Sequence, residues 1–155
     1  MPVRQITAAE TRPIRQSVLR PGKTLDELVY PGDDHSECAH LGAFDESGRL
    51  VGIATVFPDP APAELRGVMP DEAYAPAGVF RLRGMATLPE VRGAGYGRAL
   101  MESCFDQARA HGGAFLWCNA RVGASEFYRA LGLDAFGDAF DIDLIGPHYV
   151  MGRAV

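Results

Sequence analysis

Three glycines alternate at positions 93, 95 and 97, bracketed by two arginines, in the run Arg92-Gly93-Ala94-Gly95-Tyr96-Gly97-Arg98. Glycine lets a ligand come close to the main chain because no Cβ stands in the way. If the run opens a helix, the N–H groups of its first turn have no internal acceptors. The helix dipole then adds to their pull on a phosphate or pyrophosphate, and Arg92 and Arg98 add positive charge. A plain strand-to-helix connection needs fewer glycines than this, since each one costs conformational entropy on folding.

Two of three anion readings fail on spacing. A P-loop needs Gly-Lys followed by Ser or Thr, and here Gly97 is followed by Arg98. A dinucleotide fingerprint needs Gly-x-Gly-x-x-Gly. Counted from Gly93, the third glycine comes one residue early and position 98 is Arg. That fingerprint usually sits in an early βαβ unit as well, whereas this turn lies past the midpoint of the chain. The pyrophosphate of coenzyme A is the reading left.

Acyl transfer from a thioester to an amine requires a neutral amine, a stabilised oxyanion and a path for protons to the leaving thiolate. It requires no covalent enzyme intermediate, so a missing Ser-His-Asp pattern is no obstacle. Arg81 and Arg83 precede the glycine turn, and residues 81, 83, 85 and 87 share one face if the stretch is a strand. Two cations on the acceptor side lower the pKa of an amine and can pair with a carboxylate, which points to an acceptor bearing an acid group, such as an amino acid. The competing reading places both arginines on an outer face in surface ion pairs. Candidate bases elsewhere are His35, Glu37, Glu72 and His148. Cys38, Cys104 and Cys118 are odd in number and form no C-x-x-C pair. Cys104 and Cys118 fall in apolar patterns, where cysteine acts as a small buried hydrophobe, and Cys38 has no evident activating partner.

The elements that must position these residues follow from pattern. Val3 to Thr7 reads as a strand leading to a helix, with Thr7 and Glu10 as a capping box. Pro13 fits poorly inside that helix and would suit the first position of one starting there. Residues 21–37 read as irregular, with a turn of helix at Leu25–Val29. Cys38–Phe44 and Leu50–Phe57 form a hairpin across Asp45-Glu46-Ser47-Gly48. Prolines 58, 60, 62, 70 and 76 mark a surface excursion, either a linker or a substrate loop. Val79–Thr87 is a strand. Tyr96 to Ala110 is a helix, with Leu100, Met101, Cys104, Phe105 and Ala108 at three- and four-residue spacing. Ala114–Asn119 is a nearly continuous apolar strand, Ser125–Leu131 a helix ended by Gly132, and Ala135-Phe136 and His148–Met151 are two short strands.

Taken in this order, the segments resemble the GCN5-related N-acetyltransferase (GNAT) family. Its signature, Arg/Gln-x-x-Gly-x-Gly/Ala, is met at every fixed position by Arg92-Gly93-Ala94-Gly95-Tyr96-Gly97. Met85-Ala86-Thr87-Leu88-Pro89 before it is similar to the family's strand and proline link, and Arg98-Ala99-Leu100-Met101 to the start of its helix. The second family segment is seen in Leu116-Trp117-Cys118-Asn119-Ala120-Arg121, then Ala124, Phe127-Tyr128 and Gly132-Leu133. The similarity is strong over about residues 79–133 and weaker from Leu41 to Phe57.

The resemblance implies an α+β fold with a central mixed, mostly antiparallel sheet flanked by helices and acetyl-CoA in the cleft between the two central strands. It implies that strand residues Met85, Ala86 and Thr87 meet the pantetheine arm and that amides from Arg92, Gly93, Ala94, Gly95, Tyr96 and Gly97 to Arg98 hold the pyrophosphate. It places a pantetheine contact at Asn119 and a general acid at Tyr128. A packed aromatic pair with Phe127 is the plainer reading of Tyr128. Many members carry a glutamate base on the strand before the turn, where this chain has Arg81 and Arg83.

The chain has 155 residues, 47% of them hydrophobic and 23% charged, which fits one domain spanning residues 1–155 with a core that needs no disulfide or metal. The net charge is -5 and the basic residues are scattered, which argues against nucleic acid as a partner. No apolar run approaches the ~18 residues of a membrane span, and the N-terminus lacks a signal-peptide layout. The expectation is a cytoplasmic enzyme that acetylates a small-molecule amine from acetyl-CoA without a metal, with a homodimer as the oligomer common for such domains. The rival readings are a non-catalytic acyl-CoA-binding module and an acetyltransferase of protein N-termini or lysines.

Overall fold

The computed structural model describes residues 2–155, which divide into two compact units. The first runs from the N-terminus to Phe57 and from Arg83 to Gln107; the second comprises Pro58–Leu82 and Ala108–Val155. Together they hold a mixed α+β set of seven strands, mostly antiparallel.

The first unit contains β1 (Val3–Ile6), α1 (Ala8–Ile14), β2 (Ala39–Phe44), β3 (Leu50–Pro58) up to Phe57, the second half of β4 (Val79–Thr87) and most of α2 (Tyr96–Ala110). β1 lies antiparallel to β2, and β2 to β3. Thr7 caps α1 through the expected box: its hydroxyl accepts from Glu10 N–H, and the Glu10 carboxylate accepts from Thr7 N–H. The helix therefore begins at Ala8, and Pro13 lies inside it rather than at its first position. A proline there cannot donate to the preceding turn, and the chain continues as a π-type turn over Arg15–Leu19. Ile14 packs with Ile6, Ile53 and Ala86. Residues 25–28 form the single 3-10 turn expected in the irregular stretch. On α2, Leu100, Met101 and Cys104 are fully buried, as their spacing requires.

The second unit contains the first half of β4, β5 (Phe115–Arg121), α3 (Ser125–Ala130), β6 (Asp134–Ile142) and β7 (Gly146–Ala154). β4 pairs in parallel with β5 from Val79↔Phe115 to Arg81↔Trp117, while β7 is antiparallel to both β5 and β6. β6 and β7 are nine residues each, much longer than the two short strands expected. β6 is largely exposed and its register shifts between Phe136 and Phe140, so it carries no clean apolar alternation to read. The proline-rich segment is more than an excursion. It buries Ala61, Met69 and Ala73 against Val79, Phe115, Trp117 and Val150.

Candidate active site

The glycine turn grows out of the end of β4. Leu88 N–H donates to Val51 O, a 3-10 turn at Pro89–Val91 follows, and α2 starts at Tyr96. Gly93 and Gly95 have φ of 85° and 94°, a left-handed conformation that side chains with a Cβ rarely adopt. Within the turn, Arg92 N–H donates to Pro89 O and Ala94 N–H to Val91 O. Among the described residues, the N–H groups of Gly93 and Gly95 have no backbone acceptor. Gly95 O accepts the helical bond from Ala99 N–H, which makes Gly95 the cap and leaves Tyr96, Gly97 and Arg98 as the first turn, with no acceptor inside the helix. No carboxylate stands in that first turn; Arg98 occupies it, paired at 3.2 Å with Glu102 one turn on. An amino end of this kind suits an anion. Arg92 reaches back toward Thr87 O at 3.5 Å.

Within β4, Gly84 has φ of 62°, a value that glycine takes readily and other residues rarely do, while burial alternates along the strand: Phe80, Leu82 and Ala86 are buried, and Arg81, Arg83, Met85 and Thr87 are half-buried. The two arginines have separate surroundings. In the second unit, Arg81 Nη1 lies 3.2 Å from Asp59 Oδ2 and its guanidinium stands 4.8 Å from the centre of the Trp117 ring. In the first unit, Arg83 donates to Pro31 O at 2.6 Å and lies over the rings of Tyr30 and Phe57.

The second unit carries Asn119 and Tyr128. Asn119 is half-buried on β5, register partner of Val150, and its Oδ1 is shut off from solvent with no hydrogen-bond partner among the described residues. An orphaned amide oxygen of this kind is uncommon, and a donor on a ligand would satisfy it. Tyr128 is 7% exposed on α3 and packs edge-to-face on Phe127 at 5.1 Å, so the aromatic pairing read from the sequence is present. Burial pushes the thiols of Cys104 and Cys118 up to about 12, and burial together with the nearby Asp33 pushes Cys38 up to about 11. None of the three offers a thiolate nucleophile near neutral pH.

Sequence reasoning missed one polar cluster. Arg15 is fully buried; Nη1 donates to Asp33 Oδ2 at 2.7 Å and to Leu28 O, and Nη2 donates to Asp33 Oδ1 and Thr55 Oγ1. His40 Nε2 donates to Asp33 O at 3.0 Å, and its Nδ1 lies 2.8 Å from Thr55 Oγ1. Tyr30 lies under the guanidinium of Arg15 at 4.0 Å and also near that of Arg83. The partners are 18 and 40 residues apart in sequence, and no local spacing announces such a cluster.

With the fold and these residues in place, comparison with known proteins gives the class. The Acetyltransferase (GNAT) family matches residues 6–133, and the chain belongs to that family. It is 34% identical over 154 residues to the uncharacterized N-acetyltransferase YitI of Bacillus subtilis (strain 168), covering 99% of this chain and 95% of the relative. Among solved structures, a GCN5-related N-acetyltransferase from Kribbella flavida aligns with a TM-score of 0.71 at 21% identity, over 99% of this chain and 97% of that one. Escherichia coli ElaA aligns with a TM-score of 0.73 at 15% identity, over 98% of each chain. An aminoglycoside 6'-N-acetyltransferase complexed with coenzyme A gives 0.68 at 13%, over 99% of this chain and 97% of that one. These three show the shared fold. The protein is an N-acetyltransferase. No helix among the described residues is long and apolar enough to cross a membrane.

Proposed function

We propose that the enzyme transfers the acetyl group of acetyl-CoA to the amine of a small molecule by direct attack, without a covalent enzyme intermediate. The observation that carries this is the start of α2, where two left-handed glycines lead into a first turn that holds Arg98 and no carboxylate. The N–H groups of Gly93, Gly95, Tyr96, Gly97 and Arg98 hold the pyrophosphate in this reading. Those of Arg92 and Ala94 are engaged within the turn, so Arg92 contributes charge instead. Met85, Ala86 and Thr87 present main-chain groups to the pantetheine arm, and Asn119 Oδ1 accepts from one of its amides. Tyr128 gives its hydroxyl proton to the departing coenzyme sulfur. The three high-pKa thiols leave direct attack as the simplest route.

The acceptor in this reading bears a carboxylate. Arg81 and Arg83 are the arginines proposed to receive it, by exchange of the carboxylate with the partners they now hold, such as Asp59 on Arg81. The test is thiol release from acetyl-CoA by the purified enzyme against amino acids, polyamines and aminoglycosides. Faster release with acidic or zwitterionic acceptors is the expected result, and equal low rates for acidic, neutral and basic amines would remove the arginine-based preference. Binding of acetyl-CoA with no release for any amine would favour a non-catalytic module.

A further inference from the structure

Of the four candidate bases, His35, Glu37 and Glu72 are exposed, and His35 Nδ1 accepts from Glu37 N–H at 3.0 Å. His148 differs from all three. It is 4% exposed, and on β7 it is the register partner of Arg121 on β5 and of Phe140 on β6. Its Nδ1 lies 2.7 Å from Gly146 O. A carbonyl only accepts, so Nδ1 carries a proton, and in the neutral ring the lone pair is on Nε2. Nε2 has no hydrogen-bond partner among the described residues. The Phe140 ring, 6.1 Å away and tilted by 34°, packs beside the imidazole. Asn119 pairs with Val150 and Arg121 with His148. By the two-residue strand period, Asn119 and His148 therefore stand on the same face of the β5–β7 pair.

We propose that His148 is the general base of the acetyl transfer. The proposal rests on the acyltransferase reading above, and on Asn119 marking the pantetheine. As the amine nitrogen bonds to the acetyl carbon, Nε2 takes a proton from that nitrogen. The carbon–sulfur bond breaks, and the sulfur receives the proton of Tyr128. The imidazolium and the phenolate return to their resting forms by proton exchange with solvent, so protons balance without another reactant. The ionisable groups on the strands packed about His148 are Arg121 on β5 and Asp138 and Asp141 on β6, with Tyr149 next to it on β7.

The test substitutes His148→Asn, which keeps an N–H near the place of Nδ1 and puts nothing at Nε2. The expected result is a fall in kcat/KM of about 10²–10⁴-fold, with the acid limb of the pH profile lost, acetyl-CoA affinity kept and part of the rate restored by added imidazole. In the wild type, nitrogen-15 NMR of His148 should show Nε2 titrating at the pH where kcat/KM falls on the acid side. That comparison decides the matter if the variant does not fold, and a mismatch beyond about one pH unit overturns the proposal. A folded H148N with the wild-type rate and profile removes the base and leaves the transferase. A wild type that releases no thiol with any amine removes both.

Discussion

At the scale of single residues, the glycine signature could be read because its requirement is local: a positive φ or a bare helix start leaves its mark in the residues that adopt it. The role proposed for Tyr128 is less local, since it is carried over from the position that the residue matches in the family. Tyr128→Phe keeps the ring and its packing on Phe127 and removes the proton. Steady-state kinetics should show kcat lower by roughly 10²-fold with acetyl-CoA affinity unchanged, whereas a purely structural tyrosine would alter stability and leave kcat alone. The cysteines give a second expectation. With thiols pushed up to about 11 or 12 by burial, the thiolate fraction stays small below about pH 9. The native enzyme should therefore resist iodoacetamide at neutral pH and keep its activity, as mass spectrometry and a rate assay can check. Rapid labelling with loss of activity would show that one of these thiols is more open than its surroundings indicate.

At the scale of elements, strands and helices with one buried face could be read and exposed ones could not. Tyr96–Ala110 emerges with the bounds its three- and four-residue spacing sets, while β6 is missed over most of its length because its side chains face solvent. The clamp between the turn after α1 and the loop before β2 is hidden for another reason. Its charges are far apart in sequence, and Arg15 looks like any solvated arginine until the chain is folded. Burial raises the pKa of the Asp33 carboxyl, but the hydrogen bonds from Arg15 and Tyr30 N–H and the charge of Arg15 outweigh it, and the net effect is a lowered value. A depressed carboxylate contributes stability that is complete above the unfolded value of about 3.9 and is lost as pH falls through the folded one. Asp33→Asn leaves a buried guanidinium without its charge partner and should cost about 3–5 kcal/mol in urea unfolding at neutral pH. The gap from wild type should close as pH drops below about 4; a gap independent of pH would mean that the carboxylate charge is not what holds the loop.

At the scale of the whole molecule, a chain of net charge -5 is expected to bind a polyanionic coenzyme. Local charge at the helix start must therefore outweigh the overall field, which the Debye length of about 8 Å at physiological salt makes feasible. Raising salt should weaken acetyl-CoA binding severalfold, and Arg92→Ala should flatten that dependence. The family and its general chemistry could be read from the sequence because the coenzyme half rests on a continuous motif. The proposed base, His148, belongs to no continuous motif and is set apart only by the folded hydrogen bond of its ring to Gly146 O. The most direct test of the central claim is calorimetric titration of wild type and Gly95→Val with acetyl-CoA and with S-acetyl-pantetheine, which lacks the pyrophosphate. If the turn holds the pyrophosphate, Gly95→Val weakens acetyl-CoA by about 10- to 100-fold, roughly 1.4–2.8 kcal/mol, and leaves S-acetyl-pantetheine unchanged. Equal losses for both ligands, or none for either, would contradict it.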